Sequence, residues 1–145
     1  MKISTKGRYA LRLMLDLATY NESGQPISIK DISKRQAISE KYLEQIIAIL
    51  NKGGLVQSIR GAQGGYLLRL KPADITVGMI LRLTEGDLAP VQCVSEGAEF
   101  CEKASTCVTV KIYRQMNDAI NNVVDNITLD NMLSWQSESA DNYII

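Results

Sequence analysis

Residues 27–69, ISIKDISKRQAISEKYLEQIIAILNKGGLVQSIRGAQGGYLLR, decide the fold of this 145-residue chain. The apolar pair Ile29 and Ile32 predicts a short helix, which the following Gln-Ala-Ile segment ends. Ser39 can cap a second helix, because its hydroxyl can accept a hydrogen bond from a first-turn backbone N–H. This second helix is amphipathic at spacings of three and four. Its predicted buried side carries Leu43, Ile46, Ile47 and Leu50, and its outward side carries Lys41, Glu44, Gln45 and Ala48.

A glycine-rich hairpin follows the second helix. Gly53 and Gly54 end the helix, as glycines just past a helix end commonly do. Residues 55–59 and 66–70 read as two paired strands, and residues 60–65, RGAQGG, form the turn between them. A helix-turn-helix followed by a basic hairpin, here called the wing, predicts a DNA-reading unit.

Charge is balanced over the whole chain but segregated along it. Sixteen basic and sixteen acidic residues cancel, which argues against a protein that coats nucleic acid non-specifically. The acidic residues concentrate from Glu85 onward, and the basic ones crowd the first half, as phosphate contacts require. These basic residues are Lys2, Lys6, Arg8, Arg12, Lys30, Lys34, Arg35, Lys41, Lys52, Arg60 and Arg69. We find no membrane-spanning run and no signal peptide, and therefore expect a cytoplasmic protein.

Helices are predicted on both sides of this unit. Residues 8–20 form a helix apolar on most sides, with an outward stripe on which Arg12 and Asp16 can pair. Residues 76–84 form a short helix, and a long helix begins near Cys107. Its narrow apolar stripe favours pairing of two subunits over the alternative of covering its own core. The stripe consists of Val108, Ile112, Met116, Ala119 or Ile120, Val123 and Ile127.

The predicted fold is mainly α-helical, with a winged helix-turn-helix and a long C-terminal dimerisation helix. We assign residues 1–84 to the DNA-binding domain and 85–107 to a cysteine-bearing loop. Residues 108–135 form the dimerisation helices, the last of them short and ending at Trp135. The polar residues 136–145 are expected to be a flexible tail.

Five segments of the chain resemble one family. MKISTKGRYALRLMLDLA at the start, ISEKYLEQ in the second helix and SIRGAQGGYLL in the wing are joined by VGMILRLTEG and MNDAINNVVDNITL. Together they are similar to the IscR/CymR/NsrR group of bacterial regulators, the Rrf-two family, and most similar to its IscR-like members. The resemblance implies a homodimer that binds a palindromic operator and regulates transcription, most readily as a repressor.

The resemblance also implies which residues contact DNA. Glu44 and Gln45 match base-contacting positions; glutamine can bond adenine and glutamate can accept from cytosine. The alternative for Glu44 is a solvated helix residue. Arg60 matches a minor-groove arginine, favoured in a narrow A·T-rich groove. Gly61, Gly64 and Gly65 would allow close approach to phosphates, or serve a plain hairpin turn. Ser39, Lys41 and Tyr42 are candidate phosphate contacts.

Cys93, Cys101 and Cys107 lie within fifteen residues of a chain that has no histidine. They resemble the cysteines that hold a labile [2Fe–2S] cluster in iron–sulfur members of the family, although the first spacing is two residues longer. The histidine that serves IscR-like members as fourth ligand corresponds to Val110, and the N-terminal acid of NsrR-like members corresponds to Arg8. This leaves the fourth ligand open among Glu85, Asp87, Glu96, Glu99, Glu102, a backbone group and an exogenous ligand.

Other functions remain open from the sequence. The cysteines can also hold zinc, act as a thiol redox switch or be idle. The tail Asp141-Asn142-Tyr143-Ile144-Ile145 resembles tails that dock into O-acetylserine sulfhydrylase, which favours a CymR-like regulator of cysteine metabolism as the alternative to control of iron–sulfur assembly genes. We see no nucleophile–base pair and no phosphate-cradling loop before a helix, and do not expect an enzyme.

Overall fold

The computed structural model describes residues 1–142 and shows six helices and one hairpin in that part of the chain. The elements are α1 (Thr5–Tyr20), α2 (Ile29–Gln36), α3 (Glu40–Lys52), β1 (Val56–Ile59), β2 (Gly65–Leu68), α4 (Val77–Glu85), α5 (Thr109–Asn126) and α6 (Leu129–Asp141). The predicted fold class is confirmed: the molecule is mostly helical, with a two-stranded antiparallel wing after a helix-turn-helix. No helix within residues 1–142 combines the length and apolar character that crossing a bilayer requires.

Local capping defines the helix-turn-helix. The Ser28 hydroxyl accepts from the Asp31 N–H (3.2 Å) at the start of α2. As predicted, Ser39 caps α3, where its hydroxyl accepts from the Tyr42 N–H (3.3 Å). Ala37 takes a left-handed conformation (φ 53°) between the helices, and the adjoining Ser33 hydroxyl donates to the Ile38 carbonyl (2.6 Å). These bonds fix the conformation of the turn, and Ile32 of α2 and Leu43 of α3 lie in one core.

Helix α1 runs through the centre of that core. It packs against α3, α4, α6 and β2, which explains why it is apolar on most sides. The predicted buried side of α3 is confirmed, and the outward residues of α3 are exposed. The fully buried side chains of the core include Leu13, Met14, Leu17, Ile32, Leu43, Ile46, Leu50, Ile80 and Leu129.

The wing pairs Val56 with Leu68 at its base and Ile59 with Gly65 at its tip. Ile27 joins β2 from the other side, with backbone hydrogen bonds of 3.0 and 2.9 Å to Tyr66. The chain just before α2 is therefore bonded to the wing, and this holds the wing against the helix-turn-helix.

The prediction for the C-terminus is wrong between residues 136 and 141. Helix α6 continues through these residues to Asp141 instead of ending at Trp135 as a short helix. Gln136 reaches back to the Thr19 hydroxyl (3.4 Å), and the Ser139 hydroxyl bonds the Trp135 carbonyl (2.9 Å). The exposed residues 136–141 thus continue a helix whose first part packs on α1, instead of forming the free tail that their polarity suggested. Residues 143–145 lie outside the described residues.

The predicted Arg12–Asp16 pair on α1 is also wrong. Asp16 is only 3% exposed, and its carboxylate binds Arg35 of α2 (2.8 and 3.0 Å) and the Gln36 amide (2.8 Å). The Arg12 guanidinium instead donates to the carbonyl and side-chain oxygens of Gln36 and lies over the Tyr9 ring. The reason is that the end of α2 covers this side of α1, and so supplies tertiary partners that displace a weak pair within one helix.

Candidate nucleic-acid interface and cysteine segment

The outward face of α3 presents polar side chains to solvent. Lys41, Glu44 and Gln45 are exposed, while Tyr42 is half-buried with its ring edge against Tyr9 (centroids 5.7 Å apart). Neither ion pair of residues 1–142 involves Glu44. The carboxylate and amide heads of Glu44 and Gln45 are therefore available to a ligand, whereas Tyr42 contributes part of its surface to packing.

The wing places an exposed arginine beside the start of α2. Arg60 borders a cleft of about 350 Å³ whose walls come from the wing tip and the first residues of α2. The cleft residues are Ser28, Ile29, Ser58, Ile59, Arg60, Gly61, Gly64, Gly65 and Tyr66. The structure thus brings together all four predicted site residues of the wing.

Two of the wing glycines are required by the wing itself. A Cβ atom on Gly64 would overlap the carbonyl oxygen of Ile59, and one on Gly65 would overlap the backbone of Ile27. Gly61 has open space around it but a φ of +116°, which side chains other than glycine rarely adopt. The hairpin interpretation of these glycines therefore holds whether or not the wing also touches phosphates.

A polar network on the other side of α2 was not predicted. The Asp16 carboxylate ties the last turn of α2 to α1 through Arg35 and Gln36, and the Arg35 guanidinium lies 4.0 Å from the Tyr20 ring centre. The hydrogen bond to Asp16 raises the pKa of Arg35. These partners are separated by about twenty residues, and no local pattern in the sequence indicates the contact.

The three cysteines lie on the irregular segment between α4 and α5. Cys93 and Cys101 are exposed, and Cys107 is half-buried just before α5. The Cys107 sulfur lies 3.2 Å from the Thr109 hydroxyl, and this hydrogen bond, with the Val110 N–H, lowers the pKa of the thiol. Within residues 1–142, no three Cys, Asp or Glu side chains stand close enough together to hold a metal ion.

The cysteine segment contacts α5, and α5 is in turn bonded to α4. The Arg82 guanidinium of α4 binds Asp125 (2.5 and 3.0 Å) and Asn121 (2.8 Å) of α5, and the bond from Arg82 lowers the pKa of Asp125. The Asn117 amide reaches the Val94 carbonyl (3.5 Å) within the segment. A path of side-chain hydrogen bonds therefore runs from the segment through Asn117 of α5, and from α5 to Arg82 of α4.

Much of the apolar stripe predicted for α5 and for Val108, the residue that precedes it, is exposed to solvent. Val108, Ile112, Met116 and Val123 are 46–75% exposed, whereas Val110 and Val124 face the core. The helix thus covers its own subunit with one side and presents an apolar row on another. Covering of its own core therefore holds for one side of the helix, and pairing of two subunits through the exposed row stays a prediction.

Comparison with known proteins agrees with this architecture. A model of the Rrf2 family, described as an iron-dependent transcriptional regulator, matches residues 3–134. The HTH-type transcriptional regulator IscR of Pectobacterium atrosepticum is 40% identical over 134 residues, covering 92% of this chain and 80% of the relative. The HTH-type transcriptional regulator CymR of Bacillus subtilis is also 40% identical, over 144 residues that cover 99% of this chain and 98% of the relative.

Among solved structures, proteins named CymR and IscR also match this chain. The structure of CymR, the global cysteine regulator of B. subtilis, matches with a TM-score of 0.78 and 40% identity over 93% of this chain and 98% of that one. IscR of T. potens matches with a TM-score of 0.76 and 42% identity over 96% of this chain and 90% of that one. These relatives are transcriptional regulators and not enzymes. The chain therefore belongs to the Rrf2 family of DNA-binding transcriptional regulators.

Proposed function

We propose that the protein binds a palindromic operator as a homodimer, with α3 in the major groove and the wing in the minor groove of each half-site. The observation that carries this proposal is the exposed polar face of α3, with Glu44 and Gln45, on a scaffold that also presents Arg60 at the wing tip. A gel-shift titration at two salt concentrations tests it. Binding through phosphates must weaken as salt rises, because counterions are released on association.

Glu44 is the proposed source of discrimination within the operator. Its carboxylate can only accept hydrogen bonds, so in a groove lined by phosphates it is tolerated best where a cytosine amino group meets it. We expect Glu44→Ala to broaden the set of sequences selected from a random DNA pool, with Lys41→Ala as the control that weakens all sites alike. A uniform loss for Glu44→Ala would contradict the assignment.

Dimerisation is assigned to the exposed row of α5. Ile112 and Met116 are 56% and 46% exposed and lie one turn apart, an arrangement suited to packing against the same helix of a second copy. We expect Ile112→Glu to give monomers in analytical ultracentrifugation and to lose operator binding. Arg114→Glu, an exposed position on the opposite side of α5 from the row, is the matched control.

We propose a [2Fe–2S] cluster, held by Cys93, Cys101 and Cys107, as the signal that controls DNA binding and thereby the iron–sulfur assembly genes. The donor set fits the group in chemistry: three thiols lie on one irregular segment, and thiolate ligands suit iron. Their positions do not form a completed site, since within residues 1–142 they are not gathered around one point. Similarity to proteins named IscR and the family description support the proposal.

When bound, such a cluster would supply a redox- and oxygen-sensitive group whose presence favours one conformation of the segment. Through Asn117 and Arg82, that conformation would bias α5 and the DNA-binding domain by the difference in cluster affinity between two states. Anaerobic reconstitution, followed by visible absorption and iron and sulfide assays, tests the proposal. A colourless protein with one tightly held zinc would contradict the cluster proposal. So would a Cys93→Ala variant that, under anaerobic conditions, binds every promoter as the cluster-loaded wild type does.

A CymR-like regulator of cysteine metabolism is the second candidate. The specific observation in its favour is that B. subtilis CymR matches this chain over 98% of its own length, whereas P. atrosepticum IscR matches over 80%. In this alternative the C-terminus would bind O-acetylserine sulfhydrylase; residues 143–145 of that tail lie outside the described structure. A pull-down with and without residues 142–145 tests it, and capture of the enzyme by both forms would contradict a role for the tail.

A further inference from the structure

The exposed row of α3 continues beyond Glu44 and Gln45 with an apolar side chain. Ala48 is exposed, whereas its neighbours Ile47 and Ile49 are buried and half-buried. It lies four residues after Glu44 and three after Gln45, and these are the spacings that place side chains on one face of a helix. Ala48 therefore faces the same side as the two residues proposed to contact bases.

Helix geometry gives the separation of these side chains. Each residue advances an α-helix by about 1.5 Å, so Ala48 lies about 6 Å beyond Glu44 along the helix axis. Successive base pairs of DNA are stacked about 3.4 Å apart. When α3 lies along the major groove, Ala48 consequently faces a base pair about one or two steps away from the one that Glu44 contacts.

Lysine side chains stand at both ends of the row. Lys41 lies in the first turn of α3, Lys52 is its last residue, and both are exposed. Ammonium groups at the two ends of a helix in the groove suit contacts to the phosphates that border it. This leaves the middle of the row, with Glu44, Gln45 and Ala48, to the edges of the bases.

The chemistry of the Ala48 side chain limits what it can recognise. A methyl group neither donates nor accepts hydrogen bonds, so it cannot read the amino, carbonyl and ring-nitrogen groups of a base edge. The apolar group that a base presents in the major groove is the C5-methyl of thymine, and alanine is among the side chains that contact it. Ala48 is therefore suited to an A·T pair with its thymine methyl turned toward α3.

We propose that Ala48 contacts the C5-methyl group of one thymine in each half-site and so adds a thymine requirement near the base pair that Glu44 contacts. This assignment rests on the proposed binding of α3 to an operator. Contact between the two methyl groups removes apolar surface from water. Burial of one such carbon corresponds to about a fourfold gain in affinity.

Removal of single methyl groups from the DNA tests the proposal. The full-length wild type first selects its operator from a random DNA pool. Each thymine of a half-site is then replaced in turn by deoxyuridine, which lacks only the C5-methyl. The duplexes are titrated in gel shifts with the wild type, with Ala48→Gly and with the control Ala140→Gly, which changes an exposed alanine of α6. Far-UV circular dichroism verifies folding, because glycine weakens a helix.

The expected result is a methyl effect at one position that depends on residue 48. One deoxyuridine, about one or two base pairs from the pair whose selection Glu44→Ala relaxes, should weaken binding by the wild type and by Ala140→Gly about fourfold. Ala48→Gly should bind the thymine and deoxyuridine duplexes equally, because it has no methyl group to lose contact.

The opposite results separate two claims. A wild type that is insensitive to every deoxyuridine would overturn the thymine contact while operator binding stands. A methyl effect that Ala48→Gly retains, or that Ala140→Gly also loses, would do the same. A wild type that selects no operator, or whose binding does not weaken as salt rises, would overturn operator binding and the thymine contact with it.

Discussion

Replacing Arg35 by alanine should destabilise the protein more than any comparable change at the Arg82–Asp125 pair. The Asp16 carboxylate is almost completely buried and takes two of its three hydrogen bonds from Arg35. Without the guanidinium, a buried negative charge keeps only the Gln36 amide. Removing one partner of a buried ion pair costs about 3–5 kcal/mol. Because the Arg35 side chain is 31% exposed, water can enter the vacated space, and we expect about 2–3 kcal/mol.

The Arg82→Ala variant is the control for this prediction. In the wild type the Arg82 and Asp125 side chains are 41% and 44% exposed. An exposed ion pair of this kind contributes at most about 1 kcal/mol to the free energy of unfolding. Urea unfolding followed by far-UV circular dichroism gives both free energies. The protein concentration must be identical throughout, since dimerisation would add to the apparent stability. Equal losses in the two variants would show that solvent already screens Asp16, and would refute the reasoning.

Three further predictions follow from the wing, the cysteine segment and the α4–α5 contact. Gly65→Ala should distort the wing and cost about 1–3 kcal/mol of unfolding free energy, because its Cβ atom would overlap the neighbouring backbone; a crystal structure with an unchanged wing would contradict this. Thr109→Val should raise the pKa of Cys107 and slow its alkylation by iodoacetamide at neutral pH, measured by peptide mass spectrometry; an unchanged rate would exclude the hydroxyl as the cause. The lowered pKa of Asp125 means that its bond to Arg82 contributes fully above the ordinary carboxyl pKa of about 4 and is lost as the pH falls through the lowered value. Wild type and Asp125→Asn should therefore converge in stability in acid, and a difference that grows there would contradict the assignment.

Local patterns in the sequence were sufficient to predict the helix-turn-helix and the wing. A capping serine at residue 39, apolar spacings of three and four in α3, and a run of glycines between two short strands each act over a few neighbouring residues. Helix caps, helical periodicity and glycine turns depend on residues close together in the chain. They can therefore be predicted from the sequence alone. The apolar stripe of α5 is also a local pattern, because its spacing of three and four residues is visible in the sequence.

Tertiary structure alone decided the partners of the charged groups, and it showed that α6 is longer than predicted. Asp16 had an arginine four residues away, yet it bonds one on another helix, because α2 buries that side of α1. Helix α6 packs on α1 through its first turns, where Leu129 is fully buried, and the exposed residues up to Asp141 continue the same helix. These contacts join residues on different helices. Spacing along the chain does not predict them, because only the packing of the helices brings the partners together.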